Sequence, residues 1–137
     1  MPPNLSKNPE FQTWLRSLPS SSQATVGKLQ AVVEGDRCVM FSTTWCPWCT
    51  RAQEFVQEKT GHSCRKVELD QLPPDLAGSD AAEVLGALTG QRSIPNLFIA
   101  KKHIGGYSQL VDVEKRCSAG TLGEQHKDIC DFFVRSS

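Results

Sequence analysis

Cys38-Val39-Met40-Phe41-Ser42-Thr43-Thr44-Trp45-Cys46-Pro47-Trp48-Cys49 runs from an apolar segment through a turn into a helix start. The run Cys38–Phe41 has the pattern of a strand buried on both faces. Thr43 to Cys49 forms the turn, and the helix it opens extends to about Lys59. Pro47 suits a first helical turn, where its missing N–H would have had no partner. Gly61 ends the helix.

Downstream, Cys64–Leu69 is a second strand, in which Val67 and Leu69 alternate with polar residues, and Pro73-Pro74 is a loop. A helix spans Asp80–Leu88, capped by Ser79 or Asp80 and closed by Gly90. Asn96–Ala100 is a third strand, Lys101-Lys102 a hairpin turn, and His103-Ile104 a short fourth strand ending at Gly105-Gly106. Helices follow over Ser108–Lys115 and about Leu122–Arg135, the latter with Leu122, Ile129, Phe132 and Phe133 inward. Upstream, residues 23–34 form a helix with Val26, Leu29, Val32 and Val33 on one face, ending near Gly35. Residues 1–22 are an N-terminal extension, with Phe11, Trp14, Leu15 and Leu18 on one face of a brief helix over Glu10–Leu18 packed on the domain. The domain proper is residues 23–137. Strands alternating with helices imply a parallel portion, and the adjacent last two strands add an antiparallel hairpin.

At 137 residues the chain is of single-domain size. Its 15 basic and 15 acidic residues balance, so no net charge draws it to nucleic acid or an anionic membrane. No apolar run approaches the ~20 residues of a membrane span. The N-terminus has neither a signal-peptide core nor an Arg-rich, acid-free transit helix. The expectation is a cytoplasmic monomer.

Six cysteines occur, at positions 38, 46, 49, 64, 117 and 130. Only Cys46 and Cys49 are closely spaced, as expected of a reduced protein with one special pair. Cys38 and Cys130 read as small apolar fillers. Cys64 and Cys117 read as more exposed, open to glutathionylation or regulatory oxidation. A zinc ribbon needs a second Cys-x-x-Cys half-site, and none is present, so no metal is expected.

Two cysteines separated by two residues at a strand-to-helix junction form a redox motif. One helical turn brings the sulfurs within bonding distance. The first sulfur lies at the helix N-terminus, where unpaired N–H groups and the positive end of the dipole favour the thiolate. A thiol so placed has a pKa of roughly 3.5–7.5 against about 8.5 when free. Cys46 is therefore the expected nucleophile and leaving group, and Cys49, one turn in, the resolving thiol.

Cys46-Pro47-Trp48-Cys49 resembles the dithiol glutaredoxin active site, with Trp48 where Tyr is usual. Thr89-Gly90-Gln91-Arg92-Ser93-Ile94-Pro95 is similar to the glutaredoxin segment ending in Thr-Val-Pro, and Ile104-Gly105-Gly106-Tyr107-Ser108 to its Gly-Gly loop. The resemblance covers about residues 23–135. It implies a thioredoxin-like α/β fold, a four-stranded mixed sheet flanked by helices. It also implies a glutathione-dependent thiol–disulfide oxidoreductase that reduces protein disulfides and glutathione mixed disulfides. Glutathione is then the electron donor, with no bound cofactor, and disulfide-bonded or glutathionylated proteins are the partners.

By the same resemblance Pro95 is a cis-proline that turns the Ile94 backbone toward substrate. Gly105 and Gly106 allow close backbone approach, and the N–H groups and hydroxyl around Tyr107 and Ser108 suit the γ-glutamyl carboxylate. Arg92 assists the other carboxylate. Thr43, Trp48 and Ser93 complete the implied glutathione site. Three positions depart from the family pattern: Thr43 replaces Lys, Ala82 replaces Gln, and Gln109 replaces an Asp, each removing a polar contact. The alternatives are a thioredoxin-like reductase served by another electron donor and an iron–sulfur cluster carrier.

Overall fold

The computed structural model describes residues 9–134. Its elements run α1 (Pro9–Arg16), α2 (Ser20–Glu34), β1 (Cys38–Ser42), α3 (Pro47–Thr60), β2 (Arg65–Glu68), α4 (Ala81–Thr89), β3 (Asn96–Ile99), β4 (Lys102–Gly105), α5 (Tyr107–Ala119) and α6 (Lys127–Phe133). The four strands form one sheet in the order β2-β1-β3-β4. β1 pairs parallel to β2 and antiparallel to β3, and β3 pairs antiparallel to β4. This is the mixed sheet expected from the sequence.

Every residue of β1 is buried, and the pleat sends alternate side chains to opposite faces. Val39 and Phe41 join Val67 and Phe98 in a cluster with Phe11 of α1, Val26, Leu29 and Val33 of α2, and Val84 and Leu88 of α4. Cys38 and Met40 join Leu97 and Ile99 in the opposite cluster with Ala52 and Val56 of α3, Leu110 of α5, and Ile129 and Phe132 of α6. The sheet is therefore the middle of three layers.

Residues 1–8 of the N-terminal extension lie outside the described residues, as does Arg135. The remainder of the extension enters the core through Phe11, with Trp14, Leu15 and Leu18 packed against it. α2 begins at Ser20, so position 22/23 falls inside its first turn.

Several local expectations need correcting. The β3–β4 turn is Ala100-Lys101, one residue earlier than expected, with both residues at positive φ. α5 runs on to Ala119, where Gly120 closes it in the left-handed conformation. The last helix is shorter than its periodicity suggested: a 3₁₀ turn at Glu124–His126 precedes α6, and Leu122 lies before both.

The capping of α4 also differs. Asp80 is at the N-cap position but makes no side-chain cap. Its carboxylate instead accepts hydrogen bonds from Ser22 Oγ at 2.5 Å and Thr25 Oγ1 at 2.6 Å on α2. Two hydroxyl donors from a packed helix thus win over local capping. The Ser22 bond, then the Thr25 bond, holds the Asp80 carboxyl below its ordinary pKa. A depressed folded-state pKa contributes stability that is present above the unfolded value of about 3.9 and lost as pH falls through the folded value. Asp80→Asn is expected to cost about 1 kcal/mol at pH 7, discounted for the solvent exposure of the carboxylate. The variant should also lose less stability than the parent between pH 5 and strong acid. Urea denaturation across that range checks both, and parallel pH curves would argue against the carboxylate.

The cysteines depart most from the sequence reading. Cys38 pairs with Cys64, Cys46 with Cys49, and Cys117 with Cys130, leaving no free cysteine among the described residues. The expectation of one special pair in an otherwise reduced chain is therefore corrected. Cys64, read as exposed, is buried beside Cys38. The parallel register of Val39 with Arg65 sets residue 38 beside residue 64, with Cα atoms 4.6 Å apart. Cys130, read as a core filler, is half-buried against Cys117 at a Cα separation of 5.2 Å. Both separations lie within the span a disulfide requires.

Candidate active site

β1 ends at Ser42, and Thr43–Trp45 form the turn into α3. That turn is tied down from outside. Asp70, just beyond β2, accepts from the Thr44 backbone N–H at 3.0 Å and from Thr44 Oγ1 at 2.5 Å. The Thr44 hydroxyl bond is the main cause of a lowered Asp70 pKa. Cys46 is the N-cap residue of α3, with Pro47 in the first turn, as read from the sequence. Its Sγ accepts the Cys49 N–H at 3.2 Å, a donor that would otherwise be unpaired at the helix start.

Cys46 is 7 % exposed and Cys49 1 %. In this disulfide-bonded form Cys46 is thus less open than its position suggested, but it remains the more accessible sulfur of the pair. Trp48 between them is 51 % exposed. Its ring centroid stands 5.3 Å from that of Tyr107, and the Arg51 guanidinium lies 4.7 Å over it.

Trp48 and Tyr107 wall a cavity of about 240 Å³ whose lining also includes Ser93, Ile94, Pro95, Gly106 and Ser108. Seven of the sequence-predicted binding residues therefore converge on one groove beside the dithiol. The Ile94–Pro95 bond is cis. Ile94 and Tyr107 also pack against the apolar cluster that contains Cys46 and Cys49.

Thr43 and Arg92 are not part of that lining. Arg92 lies along α4, where a Cβ on Gly86 would come within 3.1 Å of its Cγ. Thr43 Oγ1 is buried without a hydrogen-bond partner.

Two glutamines, Gln91 and Gln109, shape the groove through contacts that the sequence reading did not foresee. Gln91 Nε2 donates to the carbonyls of Ser93 and Pro95, both at 3.0 Å, which pins the segment bearing the cis bond. Asn96 Nδ2 donates to Thr89 Oγ1 at 3.2 Å, and its Oδ1 lies 2.7 Å from His103 Nε2. Burial lowers the His103 pKa, so the neutral ring is favoured and serves as the donor to Asn96.

Gln109 was read only as the loss of an acidic contact. Its Oε1 accepts the Gly106 N–H at 2.9 Å and caps α5. The sequence signal was available: a helix beginning at Tyr107 puts Gln109 at the third position, where Gln and Glu reach back to the cap. Placing the helix start at Ser108 hid it.

A dithiol at a helix start, next to a groove made by a cis-proline segment and a Gly-Gly loop, is the arrangement the sequence motifs implied. The glutaredoxin family model matches residues 38–104, a span that includes the dithiol and Pro95. A glutaredoxin of Solanum lycopersicum is 38% identical over 82 residues, which cover 60% of this chain and 72% of that protein.

The chain belongs to the glutaredoxin family.

Glutaredoxin-C2 of Arabidopsis thaliana is likewise 38% identical, over 64% of this chain and 76% of its own length. Among solved structures, a buckwheat glutaredoxin–glutathione complex superposes with a TM-score of 0.65 at 28% identity, covering 87% of this chain and 99% of that one. The thioredoxin-like fold read from the sequence is thus shared with solved glutaredoxins, and the chain is a thiol–disulfide oxidoreductase.

Proposed function

We propose that this glutaredoxin uses glutathione to reduce glutathione mixed disulfides and protein disulfides through Cys46 and Cys49. The observation that carries the reading is the position of Cys46: N-cap of α3, its sulfur receiving the Cys49 N–H, in the cluster against which Ile94 and Tyr107 of the adjoining groove pack. The similarity to a glutaredoxin crystallised with glutathione supports the choice of thiol.

The Cys46 thiolate attacks the glutathione sulfur of a mixed disulfide and expels the substrate thiol. A second glutathione then attacks the Cys46-bound sulfur, which leaves glutathione disulfide and the free thiolate. With a protein disulfide, Cys46 forms the mixed disulfide and Cys49 attacks Cys46, releasing the reduced protein and forming the Cys46–Cys49 bond seen here. The backbone of Ile94 suits strand-like pairing with the bound peptide. The start of α5 at Tyr107 and Ser108 suits its γ-glutamyl carboxylate. Gln109 already holds the Gly106 N–H. A carboxylate seated there either uses the next N–H groups or displaces the Gln109 amide.

Recycling of this kind requires a reduced glutathione pool such as the cytoplasm holds, where the buried Cys38–Cys64 disulfide is an exception to the usual rarity of disulfides. The test is turnover of the hydroxyethyl–glutathione mixed disulfide, coupled to glutathione reductase. Saturable dependence on glutathione is expected. Turnover with thioredoxin reductase in place of glutathione would transfer the protein to the other donor class.

Thr43→Lys adds a cation where relatives of the resembled family carry one. A Lys at this half-buried position outside the groove lining has to extend to the rim to meet a glutathione carboxylate, and that contact gains about 1 kcal/mol. That corresponds to a roughly threefold to tenfold lower half-saturating glutathione concentration at an unchanged maximal rate. An unchanged response across a salt series would mean the carboxylate is held elsewhere.

A further inference from the structure

Cys117 is in the last turn of α5 and Cys130 is on α6, and their pairing, at a sequence separation of 13, closes a loop that includes Gly120 and Gly123. Both residues are half-buried, whereas Cys38 and Cys64 are 3 % and 4 % exposed. Disulfide exchange requires in-line approach to a sulfur, so access separates the two pairs. Cys117–Cys130 is therefore the more open of the two pairs to a dissolved thiol in the folded protein.

The helix that this pair secures is short. α6 has seven residues, too few to persist without packing. It is docked by Ile129 and Phe132, buried in the same cluster as Cys46, Cys49, Ala52 and Val56. The Arg37 guanidinium lies over the Phe132 ring. Lys102 Nζ donates to the Gln125 carbonyl at 2.8 Å and to Asp128 Oδ1 at 2.9 Å. Two buried side chains and a half-exposed ion pair are a modest anchorage, and the disulfide adds a covalent one. α6 packs on both α5 and α3, so the helix that carries Cys130 also touches the helix that carries Cys49.

We propose that Cys117 and Cys130 are a second thiol–disulfide exchange site, reversible in the folded protein. The site takes a low-molecular-weight disulfide such as glutathione disulfide as oxidant, and its oxidation clasps α6 to α5. One cysteine thiolate attacks a sulfur of glutathione disulfide and expels one glutathione thiolate. The other cysteine then attacks the protein-bound sulfur and expels the second. The two protein thiols lose two electrons and two protons, and these appear on two molecules of glutathione. Excess glutathione runs the same steps backwards and frees α6. The site is separate from Cys46 and Cys49 and goes beyond the activity proposed for them.

The test uses the full chain carrying Cys46→Ser and Cys49→Ser, so that its outcome does not depend on the active-site reading. The protein is equilibrated, folded, with mixtures of glutathione and glutathione disulfide, then alkylated and mapped by peptide mass. The expected result is a Cys117–Cys130 linkage that disappears as the glutathione fraction rises, while Cys38 and Cys64 become alkylated only after unfolding. Amide exchange over residues 127–133 should accelerate by roughly tenfold to a hundredfold on reduction, the size expected when a short loop loses its cross-link. Three results would overturn the proposal. The linkage resists every glutathione ratio short of denaturation, the two cysteines stay separate in excess glutathione disulfide, or exchange in α6 is the same in both states. Should the double variant fail to fold, the wild-type chain gives the same readouts, because peptide masses distinguish the three pairs.

Discussion

Cys46→Ser is expected to abolish turnover of both mixed disulfides and protein disulfides, a loss of more than roughly a hundredfold in kcat/KM. The attacking species is a thiolate, and a serine hydroxyl does not ionise in the pH range where the helix start can hold a thiolate. Cys46 caps α3 and its sulfur takes the Cys49 N–H. A negative charge on Cys46 is therefore met by a hydrogen bond that already exists and by the dipole of a 14-residue helix. Cys49 is inside the first turn, more deeply buried, where desolvation opposes the charge. Alkylation rate against pH, measured on reduced protein and on each single variant, checks the assignment. Cys46 should react with an apparent pKa well below that of an ordinary thiol. A low value on Cys49 with an ordinary one on Cys46 would reverse the roles.

Cys49→Ser should split the activities. Resolution of a glutathione mixed disulfide by a second glutathione needs one protein sulfur, so at least about a tenth of that activity should remain. Reduction of stable protein disulfides needs an intramolecular attack on the Cys46 mixed disulfide. Without Cys49 that activity should fall by more than roughly tenfold, because a neighbouring thiol acts at a far higher effective concentration than a dissolved one. Parallel assays on a small mixed disulfide and a protein disulfide provide the comparison. Loss of both activities in a folded variant would show that Cys49 does more than resolve.

The helix start at Pro47, the stops at Gly61 and Gly90 and the buried strand at Cys38–Phe41 were all legible from local chemistry. Proline without its N–H, glycine free to turn left-handed and an unbroken apolar run each act on the backbone within a few residues. The dithiol belongs to this group, since its geometry is set within a single helical turn. The groove was legible only through resemblance. Its lining comes from α3, the Ser93–Pro95 segment and the start of α5, and no local pattern states that these meet.

Length, turn chemistry and the period of apolar residues settled which segments are helix or strand, their order, and where Cys46 sits on its helix. Packing settled which distant residues became partners. Cys38 reached Cys64 through a parallel register across 26 positions, and Asp80 turned from capping its own helix to binding Ser22 across 58. Asp70 holds the turn before Cys46, and Cys117 meets Cys130 on a helix that Ile129 and Phe132 bury against the core. The physical reason is one of range. Backbone preferences act over a turn of helix or a pleat of strand, whereas a disulfide or a side-chain hydrogen bond between distant segments exists only after apolar burial has fixed their relative positions to within an ångström or two.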